Sequence, residues 1–203
     1  MKKDVIVIGA GGHGKVVADI VLSSADNLLG FLDDFACGEV MGYEVLGRTD
    51  DYTKYPNAYF VIAMGSNEMR RSVSERLKGV NWYTAIHPSA VVSQNDVTIG
   101  KGTVVMACAV INPGASIGEF DIINTGCVIE HDNRIGNFTH ISPNATLCGT
   151  VSVGDMCHIG ASAVVKNNIS ICSNVTVGAA AAVVKDITSE GTYIGVPAVR
   201  RVK

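Results

Sequence analysis

No apolar run in these 203 residues approaches the ~20 that a membrane helix needs. The first such run, Val5 to Ile8, is cut short by Asp4 and Gly9. The sequence therefore predicts neither a membrane span nor a secretory leader. Lys and Arg form no basic stripe, and 16 basic against 19 acidic residues leave a net charge of -3. The electrostatic footprint of a nucleic-acid binder is missing, and no such partner is expected. None of the six cysteines (Cys37, Cys108, Cys127, Cys148, Cys157, Cys172) forms a CxxC pair. In a chain without export signals they are expected to stay reduced, as small apolar fillers of a cytoplasmic protein. Aromatics are scarce at 6%, while hydrophobic residues reach 47% and glycines number 22. That balance points to tight aliphatic packing with many special backbone positions.

What is present is a period. Every sixth residue from Ile99 to Val183 is aliphatic, fifteen in succession, among them Val105, Ile123, Ile141, Ile159 and Val177. A mostly small residue lies two positions before each, as at Ala109, Cys127, Ala145 and Ala163. Strand alternation turns both inward and the residue between them outward. Glycine follows the aliphatic at Gly100, Gly118, Gly136 and Gly154. This eighteen-residue spacing makes three hexapeptides one triangular coil, with a corner expected to need unusual backbone angles. Five coils without interruption follow, about 4.8 Å apart as neighbouring strands are. The outward positions sort into a polar column (Thr98, Ser116, Arg134, Ser152, Ser170) and two apolar ones. The apolar columns are Val104, Ile122, His140, His158, Thr176 and Val110, Val128, Thr146, Val164, Ala182. Apolar columns of that length mark an interface, and a homotrimer packing both around a threefold axis is expected.

Residues 4 to 85 have no such period. Val5 to Ile8 reads as a buried strand, and Gly9-Ala10-Gly11-Gly12-His13-Gly14 opens into a helix through Val16, Val17, Ile20 and Val21. Strands ending at Phe31-Leu32-Asp33-Asp34 and running through Tyr59 to Met64 follow, then Gly65-Ser66-Asn67 and a helix over about 68 to 77. This is a strand, glycine turn and helix of the nucleotide-binding kind. The spacing Gly9-x-Gly11-x-x-Gly14 also fits a dinucleotide fingerprint. With room for only one binding half, a mononucleotide fits better than NAD. The organisation expected is thus a small Rossmann-like α/β domain, 1–86, followed by an all-β domain, 87–203.

The glycine turn, Phe31-Leu32-Asp33-Asp34, Ile62-Ala63-Met64-Gly65-Ser66-Asn67-Glu68 and Val128-Ile129-Glu130-His131-Asp132 together resemble the bacterial hexapeptide-repeat sugar acetyltransferases over essentially the whole chain. The resemblance is greatest to UDP-4-amino-sugar N-acetyltransferases, with sialic acid O-acetyltransferases and perosamine N-acetyltransferases sharing the layout. It implies a left-handed parallel β-helix using acetyl-CoA as co-substrate, a nucleotide-linked amino sugar as acceptor, and no metal. It further implies that His131 is the catalytic base, supported by Asp132 where the family usually has Glu. Asn124 matches a residue near the sugar and His140 one that contacts the acetyl group. Gly149 and Ala161 match backbone positions touching acetyl-CoA. Gly11, Gly12, His13, Asp33, Asp34 and Gly65 match the nucleotide-sugar site, and Gly195-Val196-Pro197-Ala198-Val199-Arg200-Arg201 the closing loop near the cofactor. Uracil or guanine, and amine or hydroxyl as acceptor, stay open.

The residues suit the chemistry independently. Acetyl transfer to an amine needs a base of near-neutral pKa, which histidine supplies. A neighbouring carboxylate fixes its tautomer. His131 and His140, nine residues or half a coil apart, are expected on opposite sides of one prism, converging only between subunits. Cys148 at a corner reads as filler rather than as a covalent nucleophile. Two rivals are weighed: a zinc site built from His131, His140 and His158, and a nucleotide-sugar sensor without turnover. Their scattered slots weigh against the first, and an intact His131-Asp132 pair against the second.

Overall fold

The structure is a computed structural model describing residues 2–201; Met1, Val202 and Lys203 lie outside it. The N-terminal part contains β1 (Asp4–Ile8), α1 (Gly12–Ser23), β2 (Asn27–Leu32), β3 (Glu39–Val40), β4 (Tyr43–Gly47), β5 (Tyr59–Ile62), α2 (Asn67–Arg76) and β6 (Asn81–Trp82). These strands form one sheet in the order β3-β4-β2-β1-β5-β6. It is parallel except for the β3–β4 hairpin. β1 reads as an unbroken apolar run because both its faces are covered, and Val5 to Ile8 are fully buried. Gly9 has φ +109°, and a Cβ there would lie 2.8 Å from the Ala63 carbonyl oxygen. Gly14 packs directly on the Gly9 carbonyl. Gly11 and Gly12, in contrast, face open space.

From Ala85 the chain winds into a left-handed parallel β-helix with three stacked sheets of mostly two-residue strands. Each coil pairs in parallel with the one eighteen residues on, for example Ile99 beneath Ile117, Ile135, Val153 and Ile171 in register. Every aliphatic of the six-residue series from Val105 to Val183 is buried, in one continuous core. Filling the axis with Ile, Val and Leu opposite Ala and Cys leaves little room for aromatics. The low aromatic count follows from that narrow section.

Gly100, Gly118 and Gly136 do not adopt the left-handed region. They are small because consecutive coils touch there: a Cβ on Gly118 would lie 2.6 Å from the Gly136 carbonyl oxygen. The left-handed residue recurs instead at every sixth position from Asp96 to Asp132 and on to Ala180. Most of these corner residues are not glycine, including Cys108, Phe120 and Met156. Each such residue costs about 1–3 kcal/mol, sustained only because the coils above and below over-determine it.

The second outward column also departs from expectation. Val104 and Ile122 are buried within the chain itself, in one cluster with Val17 and Val21 of α1. Phe120 and Phe138, stacked at 5.2 Å, pack with Trp82, Val73 and Leu77 to extend this junction. Arg70 of α2 closes it. Only 1% exposed, it donates to the carbonyls of Phe120 (2.9 Å), Phe138 (3.1 Å), Met64 (3.1 Å) and Gly65 (3.1 Å) and to Asn67 Oδ1 (2.8 Å).

Candidate active site

Three groups of polar residues stand out. The first lies where β1, β2 and β5 end, the edge at which parallel sheets take ligands. A cavity of about 360 Å³ opens there between Gly9, Gly11, Asp33, Asp34, Met64 and Arg76. Burial works against ionised Asp33, but the N–H groups of Ala10 (2.8 Å), Ala36 (2.8 Å) and Phe35 (2.9 Å) outweigh it and hold the pKa below the usual carboxylate value. Asp33 thus ties the glycine turn to the loop after β2. Asp34 accepts from the Thr49 N–H (2.9 Å) and faces Arg76. Phe35 stands on the rim with 95% of its surface exposed.

The second group sits at the junction of the two parts. Asn124 Nδ2 lies 2.9 Å from His140 Nε2, while its Oδ1 accepts from the Thr125 N–H at 2.7 Å. That second bond fixes the amide, so Nε2 of His140 is the acceptor and Nδ1 carries the proton. Burial, then His158, Arg70 and His13, push the pKa of His140 down to about 3, opposed by the Gly65 carbonyl. His13, on the first turn of α1, is pushed down to about 4 by burial and Arg70. Both imidazoles are neutral at physiological pH. His158 stacks on His140 at 4.7 Å and bonds Ser142 Oγ at 2.8 Å.

The third group is the corner after the Val128–Ile129 strand. His131 Nδ1 lies 2.8 Å from Asp132 Oδ2, with both side chains exposed. Asp132 takes the left-handed corner position, φ 60°. Its other oxygen lies over Gly114, where a Cβ would meet it at 2.6 Å. The His131 ring lies against Gly149, one coil on, with Nε2 nearest and so close that any Cβ there would collide with the imidazole. The Gly149 N–H has no acceptor among the described residues.

Gly11, Asp33 and Asp34 therefore share one cavity, while Gly12 lies beside it in the open turn. His13, Gly65, Asn124 and His140 gather at the junction. His131, Asp132 and Gly149 form the corner, and Ala161 follows the His158–Ile159 strand at another corner. His131 bonds Asp132 and lies against Gly149, and the stacked pair is His140 with His158. Sequence reasoning missed Arg70, Asn67, Asp121 and Asn133, all buried polar residues. Asp121 and Asn133 could have been found, because they interrupt the run of small apolar residues at inward slots.

The PglD N-terminal domain family matches residues 4–77. The acetyltransferase domain of PglB from Neisseria gonorrhoeae, solved in complex with acetyl coenzyme A, is 36% identical with a TM-score of 0.94, covering 99% of this chain and 100% of that one. A variant of perosamine N-acetyltransferase from Caulobacter crescentus, in complex with CoA and GDP-perosamine, is 34% identical with a TM-score of 0.94, covering 98% and 97%. The chain belongs to the hexapeptide-repeat sugar N-acetyltransferases. UDP-N-acetylbacillosamine N-acetyltransferase of Bacillus subtilis is 42% identical over 114 residues, 52% of either chain. The chain spans about half the length or less of the curated relatives it matches. No helix among the described residues is long and apolar enough to cross a membrane.

Proposed function

We propose that this protein transfers the acetyl group of acetyl-CoA to the amino group of a nucleotide-linked amino sugar. The observation that carries the reading is the His131–Asp132 pair at 2.8 Å. With Nδ1 donating to the carboxylate, Nε2 presents a lone pair above Gly149. The neutral amine adds to the thioester carbonyl, and His131 Nε2 takes the proton that the ammonium adduct must lose before it collapses and expels the CoA thiolate. The unoccupied Gly149 N–H is a suitable donor to the oxyanion. Neutral His140, its Nε2 held by Asn124, stands where the family resemblance sets the residue that contacts the acetyl group. The cavity at Gly11, Asp33 and Asp34 takes the nucleotide, as the relatives solved with nucleotide sugar and CoA support.

His131 and His140 lie on different sides of the prism, so the reading includes a homotrimer in which one subunit's His131 meets its neighbour's His140. The third outward column supports it: Val91 (62% exposed) and Val164 (43% exposed) continue Val110, Val128, Thr146 and Ala182 along one uncovered face. Light scattering after size exclusion reporting a monomer would remove this element. The central test follows free thiol release from acetyl-CoA with UDP- and GDP-linked amino sugars. His131→Ala is expected to lower kcat by ~10²-fold or more. Full turnover in that variant refutes the base assignment, and transfer only to a hydroxyl acceptor refutes N-acetylation.

A further inference from the structure

The β-helix interior is aliphatic, and most inward slots two residues before the aliphatic series hold small apolar side chains. Where a polar residue is admitted, it serves the stack. The hydroxyls of Thr103 and Thr139 donate to carbonyls fifteen residues on (Gly118 and Gly154, both 2.9 Å). They also accept N–H groups eighteen residues on, those of Asp121 (3.0 Å) and Cys157 (3.1 Å). Asn133, fully buried, follows half of this pattern: its Oδ1 accepts from the Val151 N–H at 2.8 Å. Its Nδ2 does something different. It makes a short bond of 2.6 Å back to the carbonyl of Glu130, with only a 3.4 Å approach to that of Leu147.

Glu130 immediately precedes His131. One coil below, in the same corner, the carbonyl three residues back (Asn112) is held only by the Ala115 N–H at 3.4 Å, and in the neighbouring corner, in turns ending at Cys127, Ala145 and Ala163, by a backbone N–H at 3.1–3.2 Å. Here a side-chain amide from the core holds it, at the corner where a histidine and a carboxylate are in contact. Other anchors of this corner are backbone bonds, Glu130 N–H to the Leu147 carbonyl, Thr150 N–H to the His131 carbonyl and Asp132 N–H to the Pro113 carbonyl, with a longer 3.3 Å approach of the His131 N–H to Glu130 Oε2. We infer that Asn133 is a positioning residue for His131, setting the corner through the Glu130 carbonyl so that the imidazole lies over Gly149 with Nδ1 on Asp132. The inference rests on the proposed role of His131 as base.

Asn133→Thr isolates the bond, because a threonine at this slot can keep the tie to Val151, as Thr103 and Thr139 do in theirs, but cannot reach back to Glu130. Wild type, Asn133→Thr, His131→Ala and the double variant are compared by thiol release, with urea unfolding to confirm the fold. Asn133→Thr is expected to lower kcat about 5- to 50-fold, since sub-ångström misplacement of a reacting group is costly, while both KM values stay within about twofold. In the His131→Ala background it should lower the residual rate no further. An unchanged kcat, or an equal loss with and without His131, overturns the inference. The imidazole 15N resonances of His131, which report tautomer and ring environment, are read in wild type and Asn133→Thr in parallel. An unchanged His131 signal also overturns positioning, even where His131→Ala has kept full turnover and so removed the base assignment itself.

Discussion

Lowering the pH from 6.5 to 4.5 should destabilise this protein through His140, without any change in a catalytic group's exposure. In the unfolded chain the imidazole takes up a proton as pH falls through its ordinary value near 6.5, whereas in the fold burial, His158 and Arg70 hold it neutral down to about 3. The unfolded state binds more protons throughout the window. Stability therefore falls as pH falls, by up to about 1.4 kcal/mol per unit. Over these two units the contribution lost is about 2 kcal/mol for His140. His13, held neutral down to about 4, loses a similar amount. Asp121 works in the opposite direction: burial, opposed by the Thr139 N–H and Arg70, raises its pKa, so its contribution improves as pH falls. That term is common to wild type and a His140→Gln variant, and the difference between their curves isolates His140. Urea unfolding at pH 6.5, 5.5 and 4.5 is the assay, with the wild-type curve steeper by about 1 kcal/mol per unit. Parallel curves for the two proteins would refute the account of His140 as a buried neutral imidazole.

Three further outcomes are expected. Gly149→Ala drives a methyl into the His131 ring and should lower kcat at least ~10-fold in thiol-release assays, because the base leaves its reacting position. Phe35→Ala removes a ring that is almost wholly exposed, so unfolding free energy should move by less than ~0.5 kcal/mol. If the cavity beside it holds the nucleotide, KM for the nucleotide sugar rises while KM for acetyl-CoA does not. Arg70→Leu strands backbone carbonyls on both sides of the domain junction and should cost about 3 kcal/mol or more, measured by urea unfolding.

The coil was legible because one side-chain requirement repeats every six residues, and nothing in Ile99 to Val183 breaks it. The corner conformation was not. Phe120, Met156 and Ala180 adopt left-handed angles because the stack imposes them, so residue identity carries no mark. The column Gly100, Gly118, Gly136 answers to coil contact instead. Val104 and Ile122 looked ready for a partner subunit, since an outward apolar column reads the same whichever surface covers it. Arg70 was hidden by its neighbours: within α2 it stands among Glu68, Arg71, Glu75 and Arg76, a pattern indistinguishable from a solvated face. His131 and Asp132 were identified by resemblance, and only coordinates supply their 2.8 Å contact and the glycine under each.

Within the rod each coil stacks only on the coils on either side, so loss of structure there spreads from its ends, one layer at a time. The layer carrying His131 and Asp132 has Pro113 and Gly114 on one side and Gly149 and Thr150 on the other. Fraying from either terminus must dissolve intervening layers before it reaches the imidazole. The reactive corner is thereby placed away from the opening ends of the rod, although its side chains stand at the surface.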